Sequence, residues 1–129
     1  MKDNSAYIGD SVFDLVVRTI LTKRANRPVF KLNQLASSIV CATSQAKLMA
    51  AILPLLDEQE AAIYKRGRNA SPGSMAKNAS VQDYLTATGL EALTGWLYLN
   101  GHYPRLLTLI DAGLAKTGMA KRLERNQEK

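Results

Sequence analysis

Between Tyr84 and Pro104 the chain carries one formally charged side chain, Glu91, set in Thr-Gly-Leu-Glu-Ala-Leu-Thr-Gly-Trp-Leu-Tyr-Leu. A stretch so apolar reads as a helix contacted on nearly all sides, so other elements must enclose it. A first helix, from Asn4 or Ser5 to about Lys23, has the same character. Its apolar positions cover most of the circumference and leave one polar stripe, Asp10, Asp14, Arg18 and Thr22. Nowhere do four to eight residues alternate apolar and polar between turn signals, so the predicted class is all-α.

The remaining elements follow from caps and breakers. Arg24 to Pro28 reads as a turn, and 31–42 as a helix with Leu32, Leu35, Ile39 and Val40 inward. Thr43 or Ser44 can cap a third helix that stops at Pro54. Asp57 caps a fourth, with Glu58 and Glu60 in its first turn and Lys65, Arg66 and Arg68 in its last, complementing the helix dipole. The Asn, Pro and Gly content of 69–79 marks a loop. Ser80 with Asp83 resembles a capping box for the apolar helix, which ends at Asn100-Gly101. A last helix is expected from Pro104 to Leu114. The 129 residues fit one domain, read as 1–114 with a basic tail over 115–129.

Net charge is +6, and the basic residues are concentrated. No acidic residue lies between Ala61 and Gln82, where Lys65, Arg66, Arg68 and Lys77 all fall. Such a segment fits a polyanion or an anionic surface. No apolar run approaches the roughly 18 residues that span a bilayer, and the N-terminus has no apolar signal segment. The single cysteine, Cys41, rules out an intramolecular disulfide and is read as a packed, inert thiol. A cytoplasmic setting is expected.

Glu91 in so apolar a helix needs a cation, a metal or water if it is buried. Asp10 has similar surroundings and follows Gly9. Gly9 and Gly95 are unfavourable in helix interiors by about 1 kcal/mol each relative to Ala, which points to close backbone approach. Two helices crossing at these glycines would bring Asp10 and Glu91 together. Adjacent carboxylates repel unless a positive charge separates them, and a hard divalent cation serves. The one histidine, His102, lies in a turn, which disfavours zinc chemistry. Periodicity alone leaves a second arrangement open: Asp10, Asp14 and Arg18 as a solvated stripe, and Glu91 paired with an arginine.

Tyr-Ile-Gly-Asp-Ser-Val-Phe-Asp-Leu-Val-Val-Arg, 7–18, resembles the ribonuclease III signature, in which Leu-Gly-Asp-Ala-Val supplies a metal-binding aspartate. Glu-Ala-Leu-Thr-Gly-Trp-Leu-Tyr-Leu, 91–99, resembles the family's second motif, Glu-Ala-Leu-x-Gly-x-x-Tyr-Leu. Arg66-Gly-Arg-Asn-Ala and Lys77-Asn resemble segments of the Mini-III branch. Ordinary members have a glutamate where this chain has Ala6 and an aspartate where it has Thr88, and the Mini-III branch shares both losses. The resemblance implies a homodimeric, ribonuclease III-type helical endonuclease domain. Asp10 and Glu91 become its catalytic and metal-binding residues, with Mg²⁺ or Mn²⁺ as the ion.

Only 15 residues follow Leu114, too few for an appended RNA-binding domain, so the catalytic domain is expected to grip the duplex itself. Lys65, Arg66, Arg68, Asn69, Lys77 and Asn78 are the candidate RNA-binding residues. By the same resemblance the substrate is double-stranded RNA, in particular the large-subunit (23S) ribosomal RNA precursor. The cuts would leave 5′-phosphates and short 3′ overhangs. The alternative is a ribonuclease III fold that binds RNA or ribosomal protein without cutting. A nucleotide hydrolase is disfavoured, since the chain has neither a Gly-rich phosphate loop nor a His/Asp cluster.

Overall fold

A computed structural model of the chain describes residues 4–24, 26–70 and 79–119, with backbone alone at 79 and 80. Among the described residues there are six α-helices: α1 (Ser5–Arg24), α2 (Val29–Val40), α3 (Ala42–Ile52), α4 (Glu58–Asn69), α5 (Ala79–Leu99) and α6 (Tyr103–Thr117). A single 3₁₀ turn, Leu53–Leu55, joins α3 to α4, and no strand occurs among the described residues. The all-α expectation holds.

α5 is the axis of the molecule, as its apolar circumference required. It packs against α1, α3, α4 and α6, and buries Leu90, Leu93 and Leu97. α1 supplies Phe13, Val16, Val17 and Leu21 to the same core, α3 supplies Leu48, Met49 and Ile52, and α6 supplies Leu106, Leu109, Ile110 and Leu114. The wide apolar face of α1 meets α5, α2 and α6. Its polar stripe stays outside, where the Arg18 Nε donates to Asp14 Oδ1 at 2.9 Å.

Helix boundaries differ from expectation in instructive places. α2 begins right after Pro28, whose carbonyl accepts from Lys31 N and Leu32 N. Its first turn, Val29 and Phe30, is exposed, so the inward apolar pattern starts only at Leu32. Neither Thr43 nor Ser44 caps α3. Cys41 sits extended at the α2–α3 break and its carbonyl accepts from Gln45 N, while the Ser44 hydroxyl donates to Ser38 O at 2.6 Å. That geometry turns the Cys41 thiol to solvent, so it is exposed rather than packed. Ser80 falls inside the first turn of α5 instead of capping it. α6 continues to Thr117 and is closed by Gly118, whose φ of 72° is easily adopted without a Cβ. The last helix thus reaches into the segment assigned to the tail; 120–129 lie outside the described residues.

The start of α4 is fastened to α6. Asp57 Oδ1 accepts from Glu60 N at 2.7 Å, and Glu60 Oε1 accepts from Asp57 N at 2.9 Å, a complete capping box. The Glu60 carboxylate is buried and also accepts two bonds from Arg105, at 2.9 and 2.8 Å. Arg105 further donates to Leu55 O, so a single guanidinium joins the 3₁₀ turn, α4 and α6. The Arg105 hydrogen bond holds the Glu60 pKa below the usual carboxylate range. A depressed carboxylate stabilises the fold above its unfolded pKa, and the contribution is lost as pH falls through the folded value. Glu60→Gln is expected to cost about 2–3 kcal/mol at neutral pH, less than a fully buried pair because the Arg105 side chain is 38% exposed. The difference from wild type should shrink below about pH 4. Urea melts at pH 7 and at low pH check both parts; equal stability of the two proteins at pH 7 would refute the clasp.

Candidate active site

α1 and α5 cross at their glycines. A Cβ on Gly9 would stand 1.7 Å from the Glu91 carbonyl oxygen, and one on Gly95 would stand 1.8 Å from the Ser5 carbonyl oxygen. Neither helix could carry a methyl group here, so main chain rests directly on main chain. The residue after Gly9 is Asp10, and the residue whose carbonyl Gly9 touches is Glu91. The crossing therefore sets the two carboxylates side by side.

Their environments differ. Asp10 is exposed on the outer stripe of α1, whereas Glu91 is half-buried. Burial of the Glu91 carboxyl, followed by its hydrogen bond and charge repulsion with Asp10, pushes its pKa up to about 7. The Gln45 amide acts in the opposite direction. No described Lys, Arg or His forms an ion pair with either carboxylate. The arginine partner that periodicity left open for Glu91 does not occur among the described residues. Asp14–Arg18 does pair as that arrangement foresaw, one turn away from Asp10. Two carboxylates in contact with each other, with no cationic side chain paired to either among the described residues, are the site's chemical content.

A second close crossing joins α4 to α5. A Cβ on Gly67 would stand 2.3 Å from the Ala92 Cβ, which places the end of α4 beside the neighbour of Glu91. Lys65, Arg66, Arg68 and Asn69 are all exposed there. The Arg68 guanidinium carbon lies 5.9 Å from the Tyr64 ring centroid, and its Nε donates to Asn69 Oδ1 at 3.4 Å. Lys77 and Asn78 lie outside the described residues.

The Ribonuclease III domain family matches residues 3–102, a span that contains both carboxylates and the basic end of α4. A Mini-ribonuclease 3 from Enterococcus faecalis is 40% identical over 115 residues, covering 88% of this chain and 87% of that protein. The chain belongs to the ribonuclease III family, in its Mini-ribonuclease 3 branch. A second Mini-ribonuclease 3, from Thermoanaerobacter, is 41% identical over 82% of this chain and 75% of its own length. In three dimensions the chain is similar to a crystal structure of a Fusobacterium nucleatum protein at 25% identity. The TM-score is 0.73, with 89% of this chain and 92% of that one covered.

Within this Mini-ribonuclease 3 chain, two positions that matter to the site escaped the sequence. Gln45, on α3, is 3% exposed and lies against Glu91. Gly67 makes the α4–α5 crossing. A polar residue at an inward position of α3 was the available signal for the first. His102, by contrast, is exposed at the start of α6 with its ring against Trp96, centroids 5.8 Å apart, as a turn residue. No single described helix is long and apolar enough to cross a membrane.

Proposed function

We propose that this chain is a divalent-metal-dependent endoribonuclease that hydrolyses phosphodiester bonds of double-stranded RNA, with Asp10 and Glu91 as its catalytic pair. The observation that carries the reading is the meeting of these two carboxylates at the Gly9–Gly95 crossing, with no ion pair to either among the described residues. The donor set fits Mg²⁺, or Mn²⁺ in its place. It consists of oxygens, and no group of three or more His, Cys, Asp or Glu that could hold an ion occurs among the described residues. Mg²⁺ is commonly held by one or two carboxylates and keeps several waters. Such an ion, when bound, supplies a polarised phosphate oxygen and a water of lowered pKa. Asp10 reaches the site from the solvent side of α1, and half-buried Glu91 fixes the inner side from α5.

The basic end of α4 extends the site into a track for RNA. Lys65, Arg66, Arg68 and Asn69 take phosphates and 2′-hydroxyls beside the carboxylates, and Lys77 and Asn78 continue the same role. A-form RNA is read mostly through shape, phosphates and 2′-hydroxyls, which these side chains suit. Binding through several phosphates releases counterions, so duplex affinity should fall roughly 50-fold between about 50 and about 200 mM salt. A titration showing the same affinity at both salts would exclude this track.

The working unit is a homodimer, each subunit cutting one strand and leaving 5′-phosphates with short 3′ overhangs. Tyr7, 85% exposed, and Leu15, 55% exposed, flank Asp10 on the outer face of α1, and that apolar strip supports the reading. The natural RNA is the large-subunit (23S) ribosomal RNA precursor, and the setting is the cytoplasm. The test is cleavage of an end-labelled RNA duplex with Mg²⁺ and with chelator. Metal-dependent cutting is expected. Tight binding without cutting would make the chain a binding module.

A further inference from the structure

Gln45 is almost fully enclosed where α3 packs on α5. A glutamine amide offers two donors on Nε2 and an acceptor, Oε1, with two lone pairs. Nε2 donates to the Val40 carbonyl at 2.8 Å, across the α2–α3 junction. That carbonyl can only accept, which fixes the nitrogen on its side of the amide. The same amide serves the Glu91 carboxylate. Oε1 is then left over; it is buried and has no partner among the described residues. Bare buried acceptors are uncommon and costly in native structures, and each calls for a reason.

The place of this one supplies the reason. The amide belongs to the side chain that contacts Glu91, and a cation held there would keep water in its shell. We propose that Gln45 is a positioning residue of the carboxylate site, holding Glu91 from the α3 side and offering Oε1 to a hydration water of the divalent ion. The assignment rests on the metal-site reading above. It explains why an amide, rather than a leucine, fills an inward position of α3. Outer groups of this kind orient the groups that touch the metal, and their loss commonly weakens metal binding 10- to 100-fold.

The experiment is a Mn²⁺ titration of the metal-free full chain, following free ion by its magnetic resonance signal, with thermal melts in chelator. Wild type, Gln45→Met, Gln45→Leu and Glu91→Gln are compared. The two Gln45 variants are expected to bind Mn²⁺ about 10- to 100-fold more weakly. Their metal-free melting temperatures should stay within a few degrees of wild type, because removal of the bare acceptor offsets loss of the bond to the Val40 carbonyl. A folded Gln45 variant with wild-type Mn²⁺ affinity overturns the proposal. Failure of both to fold assigns Gln45 to the core and overturns it as well. Glu91→Gln separates the two levels: if it keeps Mn²⁺, the metal-site reading fails first, whereas loss of Mn²⁺ by Glu91→Gln alone removes only the role of Gln45.

Discussion

Asp10→Asn and Glu91→Gln are each expected to slow duplex cleavage by at least about a thousandfold, the scale of several kcal/mol of transition-state charge stabilisation. Neither should harm the fold. Without an ion the two carboxylates oppose each other, and burial together with Asp10 raises the Glu91 pKa to about 7. A carboxyl whose folded pKa is raised favours the fold below its unfolded pKa and loses that contribution as pH climbs to the folded value. At pH 8 in chelator the wild-type site therefore bears a charging cost, and Asp10→Asn relieves its repulsive part. Its melting temperature should match or exceed that of wild type under those conditions. Added Mg²⁺ should reverse the order by stabilising wild type alone. Single-turnover cleavage and paired melts test this. Near-wild-type turnover in either variant would remove Asp10 and Glu91 from the chemistry.

The largest structural effect is expected at Gly9 and Gly95. Each Cβ would fall within 2 Å of a carbonyl oxygen of the facing helix, a distance no side-chain adjustment relieves. Gly9→Ala or Gly95→Ala must part α1 from α5, at a cost of about 3 kcal/mol or more. For a chain of this size that lowers the melting temperature by roughly 10 °C or more. The folded fraction should also cleave poorly, on the order of a hundredfold below wild type, because the two carboxylates move apart. Thermal melts of the alanine variants suffice for the first part. A shift of no more than a few degrees would mean that the helices do not rest on each other here.

The site was legible in the sequence because its determinants are local. Glu91 stands alone in an apolar helix, Asp10 follows a helical glycine, and both lie in short motifs that survive without any tertiary knowledge. The helix count was legible for a similar reason, since periodicity and breakers repeat along the chain. What escaped depends on contacts distant in sequence. Nothing around Gln45 tells that its amide meets Glu91, and nothing around Glu60 tells that its cap also binds Arg105. Cys41 was misjudged because its apolar neighbours describe the helices on either side, while the thiol itself lies on the break between them. The first turn of α2 was missed because Val29 and Phe30 face outward, against the pattern that marks a helix.

The glycine crossing has a consequence for how such a domain can diversify. The gap between Asp10 and Glu91 is gauged by backbone against backbone, so rotamer changes in nearby side chains leave it unaltered. The reacting geometry is in that sense insulated from its surroundings. On the proposed reading, the exposed end of α4 is then free to drift toward other RNA shapes without retuning the chemistry at each step. Evolvability of substrate choice would come from the rim of the site, bought by two positions that can never be anything but glycine.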